Sequence, residues 1–376
     1  MKALPGSSAA LFVAALALTA CGTDTTTSSE APTAAVLATV ASAESPPSAQ
    51  ASKDFNPRLL RRFVPLRARI EAPGTPVSDK QIALGRALYF DKRLSRNRDL
   101  SCNNCHRLDA YGVDGQATST GDKGQHGGRN SPTVYNAAGF FTQFWDGRAA
   151  NVEEQAKGPI LNPIEMAMPG PETVVARLSA VPGYVTAFAD AFPGEAAPLT
   201  YDNVGRAIGA FERGLTTPSR WDAYLSGNKA ALTAPEIEGL KLFTNVGCMV
   251  CHTGEFLGGN SYQRAGAVEP WPNQADLGRA AVTKNAADRM MFKVPTLRNI
   301  AKTGPYFHDG SVLTLNEAVR MMGKHQLGLE LAESEVSSIV TWLGALTGEL
   351  PTAYIAEPTL PTDGPQAARD AVRHKR

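Results

Sequence analysis

Cys102-Asn103-Asn104-Cys105-His106 and Cys248-Met249-Val250-Cys251-His252 are one pattern written twice in the same chain. Cys-x-x-Cys-His is the attachment pattern of c-type haem. Two thiols at this spacing can add to both vinyl groups of one porphyrin, and the next residue offers imidazole to the iron from the proximal side. A zinc site would call for further Cys or His close by. A redox dithiol has no use for a His after its second Cys, let alone twice. The motifs therefore predict two covalent haems, carried on Cys102 with Cys105 and on Cys248 with Cys251, with His106 and His252 as proximal ligands.

Working outward, the flanking sequence reads as helix and loop. Ser78 can cap a helix over residues 79–90, whose Ile82, Leu84, Ala87 and Leu88 form a broad apolar face. Thr233-Ala234-Pro235-Glu236 has capping-box spacing with Pro in the first turn, and opens a helix that runs toward Cys248. Val204, Ala207, Ile208 and Phe211 recur at helical spacing. So do Val336, Ile339, Val340, Leu343 and Leu346, with a cap expected at Ser334 or Glu333. Period-two alternation is scarce, so the class is mostly α. Two motifs 146 residues apart imply two cytochrome-c-like domains, 54–215 and 216–350, each wrapped around one haem, with 351–376 as a tail.

The N-terminus points to export. Lys2 precedes an unbroken apolar run over residues 9–18, too short to span a bilayer but suited to a signal-peptide core. It ends in Leu18-Thr19-Ala20-Cys21, which resembles a bacterial lipobox, so 1–20 reads as a lipoprotein signal and Cys21 as the acylated residue. The competing reading is an ordinary secretory signal with an incidental Cys. Residues 21–53, rich in Thr, Ser, Ala and Pro, cannot bury enough apolar surface to offset ordering entropy, and read as a flexible tether. The five cysteines then divide as two, two and one, with no thiol left for a disulfide. Lys and Arg number 37 against 36 Asp and Glu, a balance that offers no case for nucleic acid. No other stretch can cross a membrane, so attachment would be through the lipid alone.

Further motifs carry a resemblance. Asn130-Ser131-Pro132-Thr133-Val134-Tyr135-Asn136, Gln143-Phe144-Trp145-Asp146-Gly147-Arg148-Ala149, Glu154-Gln155-Ala156-Lys157-Gly158-Pro159 and Glu165-Met166 resemble the bacterial di-haem cytochrome c peroxidase family. In the second half, Phe292-Lys293-Val294-Pro295-Thr296-Leu297-Arg298-Asn299, Gly304-Pro305-Tyr306-Phe307-His308-Asp309-Gly310, Met322-Gly323 and Gln326-Leu327-Gly328 agree. The resemblance covers about residues 55 to 350. It implies reduction of hydrogen peroxide to water by electrons from a small periplasmic donor, a cytochrome c or a cupredoxin. These would be received at the second haem and passed to the first, peroxidatic one.

The same resemblance assigns roles. Glu165 is the acid–base and Gln155 positions peroxide, and a carboxyl beside a haem should have its pKa raised by lost water contacts. Met322 is the second axial ligand of the second haem, where a thioether raises the potential; Met321 is filler. Trp145 is the electron relay. Calcium is held by the Asn130 side chain and the Thr303 and Pro305 carbonyls, an oxygen set that suits a hard cation. His308 lies at the haem periphery, bonded to a propionate or purely structural, while His325 and His374 default to solvent. The resemblance further implies a homodimer, a periplasmic location and a tail that folds back on the first domain.

One departure stands out. Many members carry a distal His eight residues before the Asn that here is Asn130, but that position holds Asp122. Either His126, four residues on, ligates the resting first haem, or that haem is open; the ungapped spacing favours the open site. Two other functions compete. A di-haem oxidase modifying side chains of a partner protein would carry Tyr where Met322 stands. A non-enzymatic di-haem carrier would need neither Gln155 nor Glu165.

Overall fold

The computed structural model describes residues 57–71, 74 and 76–362. The signal, the tether, Cys21 and His374 lie outside the described residues. The helices in chain order are α1 (Asp79–Phe90), α2 (Cys102–Cys105), α3 (Val152–Leu161), α4 (Pro171–Ser179), α5 (Pro182–Ala191), α6 (Tyr201–Glu212), α7 (Arg220–Leu225), α8 (Ala234–Asn245), α9 (Ala280–Thr283), α10 (Leu315–Met321) and α11 (Glu333–Gly344). The expected caps form where short polar side chains can reach the free N–H groups of the first turn. Ser78 accepts from the Gln81 N–H, and Thr233 with Glu236 closes a capping box.

Two details differ from expectation. The N-cap of α11 is Ala332, in extended conformation, because Glu335 reaches back to accept its N–H at 2.8 Å; Glu333 and Ser334 already lie in the first turn. A short antiparallel pair also forms, β1 (Tyr262–Arg264) with β2 (Met291–Lys293), Gln263 facing Phe292. Three-residue strands are too short to leave a period-two signature.

Two hydrophobic cores organise these elements. The first gathers Leu84, Leu88 and Tyr89 of α1, Ile160 of α3, Phe188 of α5 and Phe211 of α6, and receives Leu350, Tyr354 and Ile355 from the chain beyond α11. The second gathers Trp221 of α7, Leu240 and Phe243 of α8, and Val336, Ile339 and Trp342 of α11, with Phe63 from the N-terminal segment. Each core rests on a close helix crossing made by a glycine. A Cβ on Gly85 of α1 would sit 1.8 Å from the Ala207 carbonyl oxygen of α6, and one on Gly239 of α8 2.0 Å from that of Ser338 in α11. Among the described residues no helix is long and apolar enough to cross a membrane.

The halves repeat more than their helices. Pro132-Thr133 and Pro295-Thr296, Asn136 and Asn299, and Phe144-Trp145-Asp146-Gly147 and Phe307-His308-Asp309-Gly310 all recur 163 positions apart. The backbone repeats with them: Asn136 and Asn299 have φ of 63° and 62°, and Phe144 and Phe307 have 66° and 69°.

Candidate active site

Each attachment motif is a single turn that throws its histidine inward. Cys102–Cys105 is one α-turn opened by Ser101, whose N–H is accepted by Asn104, and the His106 N–H closes onto the Cys102 carbonyl at 3.0 Å. Cys248–Val250 is a 3-10 turn, and the His252 N–H closes onto Cys248 at 3.1 Å. His106 Nδ1 lies 3.4 Å from the Gly112 carbonyl oxygen, and His252 Nδ1 3.0 Å from that of Leu257. A Nδ1–H donated to a carbonyl leaves the Nε2 lone pair free, which is the tautomer a metal-bound imidazole requires. Burial holds both rings below the ordinary His pKa, hence neutral.

The cysteines suit attachment better than thiol chemistry. None is paired in a disulfide among the described residues. Burial pushes the Cys248 thiol up to about 12 and the Cys105 thiol up to about 11, whereas a redox dithiol needs a depressed pKa.

A cavity of about 410 Å³ opens beside the second motif. Cys248, Cys251 and His252 line it together with Met322. Met322 opens a π-helical turn, Met322–Leu327, at the end of α10, the kind of irregularity that recurs at functional sites. Met321 packs among Tyr306, Val312 and Ala318 and, like Met322, against Trp271, Met290 and Phe292. The wall of the same cavity also carries Trp145, Asn130, Thr303, Pro305 and His308. Trp145 is pinned twice: its Nε1–H donates to the Asn130 carbonyl at 2.9 Å, and its carbonyl accepts from the Lys293 N–H at 2.8 Å. Asn130 Nδ2 donates to the Gln116 and Ala117 carbonyls at 3.0 and 3.3 Å, which spends the amide's donors and leaves Oδ1 for another partner. His308 is 3% exposed, stacked on Phe292, and its Nε2 has no hydrogen-bond partner. A buried polar atom without a partner calls for one, and a propionate or an ordered water at this wall would satisfy it.

On the first side, Glu165 lines a cavity of about 500 Å³ with Phe144, Arg148, Pro159 and Asn162. Asn162 Nδ2 donates to Glu165 Oε1 at 2.8 Å. Burial raises the Glu165 pKa, against the opposing pull of the Arg148 charge and the Asn162 bond. Glu165 also lies near enough to Cys105 to raise the thiol's pKa, so carboxyl and attachment motif share one neighbourhood. Gln155 is half-buried on α3, one turn before Pro159, and its amide makes no hydrogen bond among the described residues. It is not brought into contact with Glu165.

The loop before Asn130 turns its two candidate positions in opposite directions. Asp122 is buried, its N–H donated to the Glu165 carbonyl at 2.7 Å and its carboxylate accepting from Asn97. His126 is exposed, its Nδ1 3.2 Å from the Thr118 carbonyl oxygen. His325, assigned to solvent by default, is half-buried against Trp271, because the π-turn folds it back onto that ring.

Three groups near these sites escaped the sequence reading. Lys293 is buried with Nζ 3.1 Å from the Thr142 carbonyl oxygen, and burial lowers its pKa to about 7. Glu212, at the end of α6, is pushed up to about 8, chiefly by burial and next by the Glu153 charge. Arg148 was read only as part of a motif. Lys293 too stands inside a motif, but nothing in the sequence marks a charge as buried.

The architecture and paired motifs define a c-type di-haem oxidoreductase. Residues 79–230 match the model of the di-haem cytochrome c peroxidase family. The chain is 45% identical over 316 residues to cytochrome c551 peroxidase of Pseudomonas aeruginosa, covering 82% of this chain and 90% of that one. It is 46% identical over 279 residues to cytochrome c551 peroxidase of Nitrosomonas europaea, covering 74% and 83%. Among solved structures it is similar to a MauG-like protein associated with microbial copper homeostasis, with TM-score 0.69 and 28% identity, covering 82% of this chain and 99% of that one. The chain belongs to the di-haem cytochrome c peroxidase family.

Proposed function

We propose that this protein reduces hydrogen peroxide to two waters, taking two electrons from a small periplasmic cytochrome c or cupredoxin and two protons from solvent. Glu165 carries the reading: a half-buried carboxyl with a raised pKa, steered by Asn162, facing a cavity beside the first attachment motif. Cys102, Cys105 and His106 would hold the first haem, and Cys248, Cys251, His252 and Met322 the second. When bound, the haems supply iron that activates peroxide and stores electrons. The Glu165 carboxylate takes a proton from one peroxide oxygen and returns it to the other as the O–O bond breaks. The Arg148 charge keeps that carboxyl from becoming too basic to release the proton. Gln155, its amide uncommitted, would orient peroxide. Trp145, clamped by Asn130 and Lys293, bridges the two halves for electron transfer. Each hydrophobic core houses one site, first peroxidatic and second electron-accepting.

With His126 exposed and bonded to Thr118 and Asp122 buried in a network of its own, neither residue would ligate the first haem, which would be left open to peroxide. The enzyme is then active without prior reduction. Electron paramagnetic resonance of the oxidised protein should show a high-spin component, and low-spin bis-axial signals alone would contradict it. Calcium on Asn130 Oδ1 and the Thr303 and Pro305 carbonyls fits their shared wall. His308 Nε2, without a partner of its own, would donate to a propionate. The lipid anchor at Cys21 rests on the Leu18-Thr19-Ala20-Cys21 pattern, the periplasmic location on export and haem type, and the homodimer on the family. Peroxide-dependent oxidation of a reduced mono-haem cytochrome c tests the activity: two donor equivalents per peroxide are expected, and no oxidation would overturn it.

A further inference from the structure

The repeat converges on one side chain. Asn136 Nδ2 and Asn299 Nδ2 both donate to the Thr217 hydroxyl, at 3.0 and 2.8 Å. All three residues are fully buried. The amide oxygens are used as well: Asn136 accepts from the Thr217 N–H at 3.2 Å, and Asn299 from the Gly348 N–H at 2.9 Å. Gly348 is pressed against Thr217, since a Cβ there would lie 2.0 Å from the Thr217 carbonyl oxygen. Both asparagines hold the left-handed conformation this geometry requires.

From each asparagine the same path leads to a proximal histidine. Three residues before Asn136, Thr133 donates to the Tyr111 carbonyl at 2.7 Å; the next carbonyl, of Gly112, is the one facing His106 Nδ1. Three residues before Asn299, Thr296 donates to the Phe256 carbonyl at 2.6 Å; the next, of Leu257, faces His252 Nδ1. The carbonyl that meets a ligating imidazole fixes its plane and its basicity, and hence the electron affinity of the iron it serves. We infer that Thr217 is a positioning residue common to both sites: by holding Asn136 and Asn299 on one hydroxyl, it ties the orientation of His106 to that of His252, so that a change at one haem is felt at the other. Equilibrium coupling of this kind acts in both directions.

This inference rests on His106 and His252 being the proximal ligands. A pyridine haemochrome assay giving two haems per chain, with imidazole-ligated spectra for the parent, settles that point separately before any variant is compared. Asn136→Gly and Asn299→Gly keep the left-handed backbone and remove one link each. Redox titration of the holoenzyme reads both haems. Each variant should change the reduction equilibrium of the far haem as well as the near one, by about tenfold. Thr217→Val should reproduce both changes, and Thr217→Ser should restore the parent values. Shifts confined to the near haem would overturn the coupling, as would a lower melting temperature with both potentials unmoved. Should Thr217→Val fail to fold, the two glycine variants decide the matter alone.

Discussion

At the scale of single residues, the proposed mechanism turns on how burial treats Glu165. Its raised pKa places the acid limb of peroxide turnover above the ordinary carboxylate range, since the rate needs the carboxylate and is lost as pH falls through that pKa. Arg148→Gln removes the charge that opposes the rise, so the limb of kcat/KM should move to higher pH, and an unmoved pH–rate profile would count against it. Met322→His should keep the second haem but lower its midpoint potential, because a thioether favours the reduced iron more than a second imidazole does. Redox titration checks this. Among these residues, the Cys and His of the motifs were legible from spacing alone. Met322 is separated from Met321 by the resemblance; of the two Met322 lines the cavity, while both pack against Trp271, Met290 and Phe292. Lys293 and Glu212 were illegible because a sequence records charge but not whether water reaches it.

At the scale of elements, caps and crossings set the frame. The α1 and α8 caps were readable because Ser78 with Gln81 and Thr233 with Glu236 satisfy N–H groups within four residues. The α11 cap was not, since Ala332 offers no side chain and only Glu335 reaching back marks the boundary. Gly239→Ala should destabilise the fold by about 1–3 kcal/mol, as its methyl would force α8 away from Ser338 of α11. Denaturant unfolding of the holoprotein measures it. The π-turn after α10 was also invisible in advance, because an extra residue per turn leaves no apolar period.

For the molecule as a whole, a mostly helical chain with two haem motifs could be read from sequence, while the convergence of its halves on Thr217 could not, since it depends on where distant loops meet. Global stability should carry the signature of Glu212. Its folded pKa of about 8 exceeds the unfolded value of about 4.3, so its contribution is full below the unfolded pKa and is lost as pH rises through about 8. The melting temperature should fall across that window, and Glu212→Gln should flatten the fall. The central claim, that this di-haem protein is a peroxidase working through Glu165, is tested most directly by stopped-flow peroxide turnover with a reduced cytochrome c, run on the parent and on Glu165→Gln. A fall of about 10²–10⁴-fold with both haems retained is the predicted result; equal rates in the two proteins would contradict it.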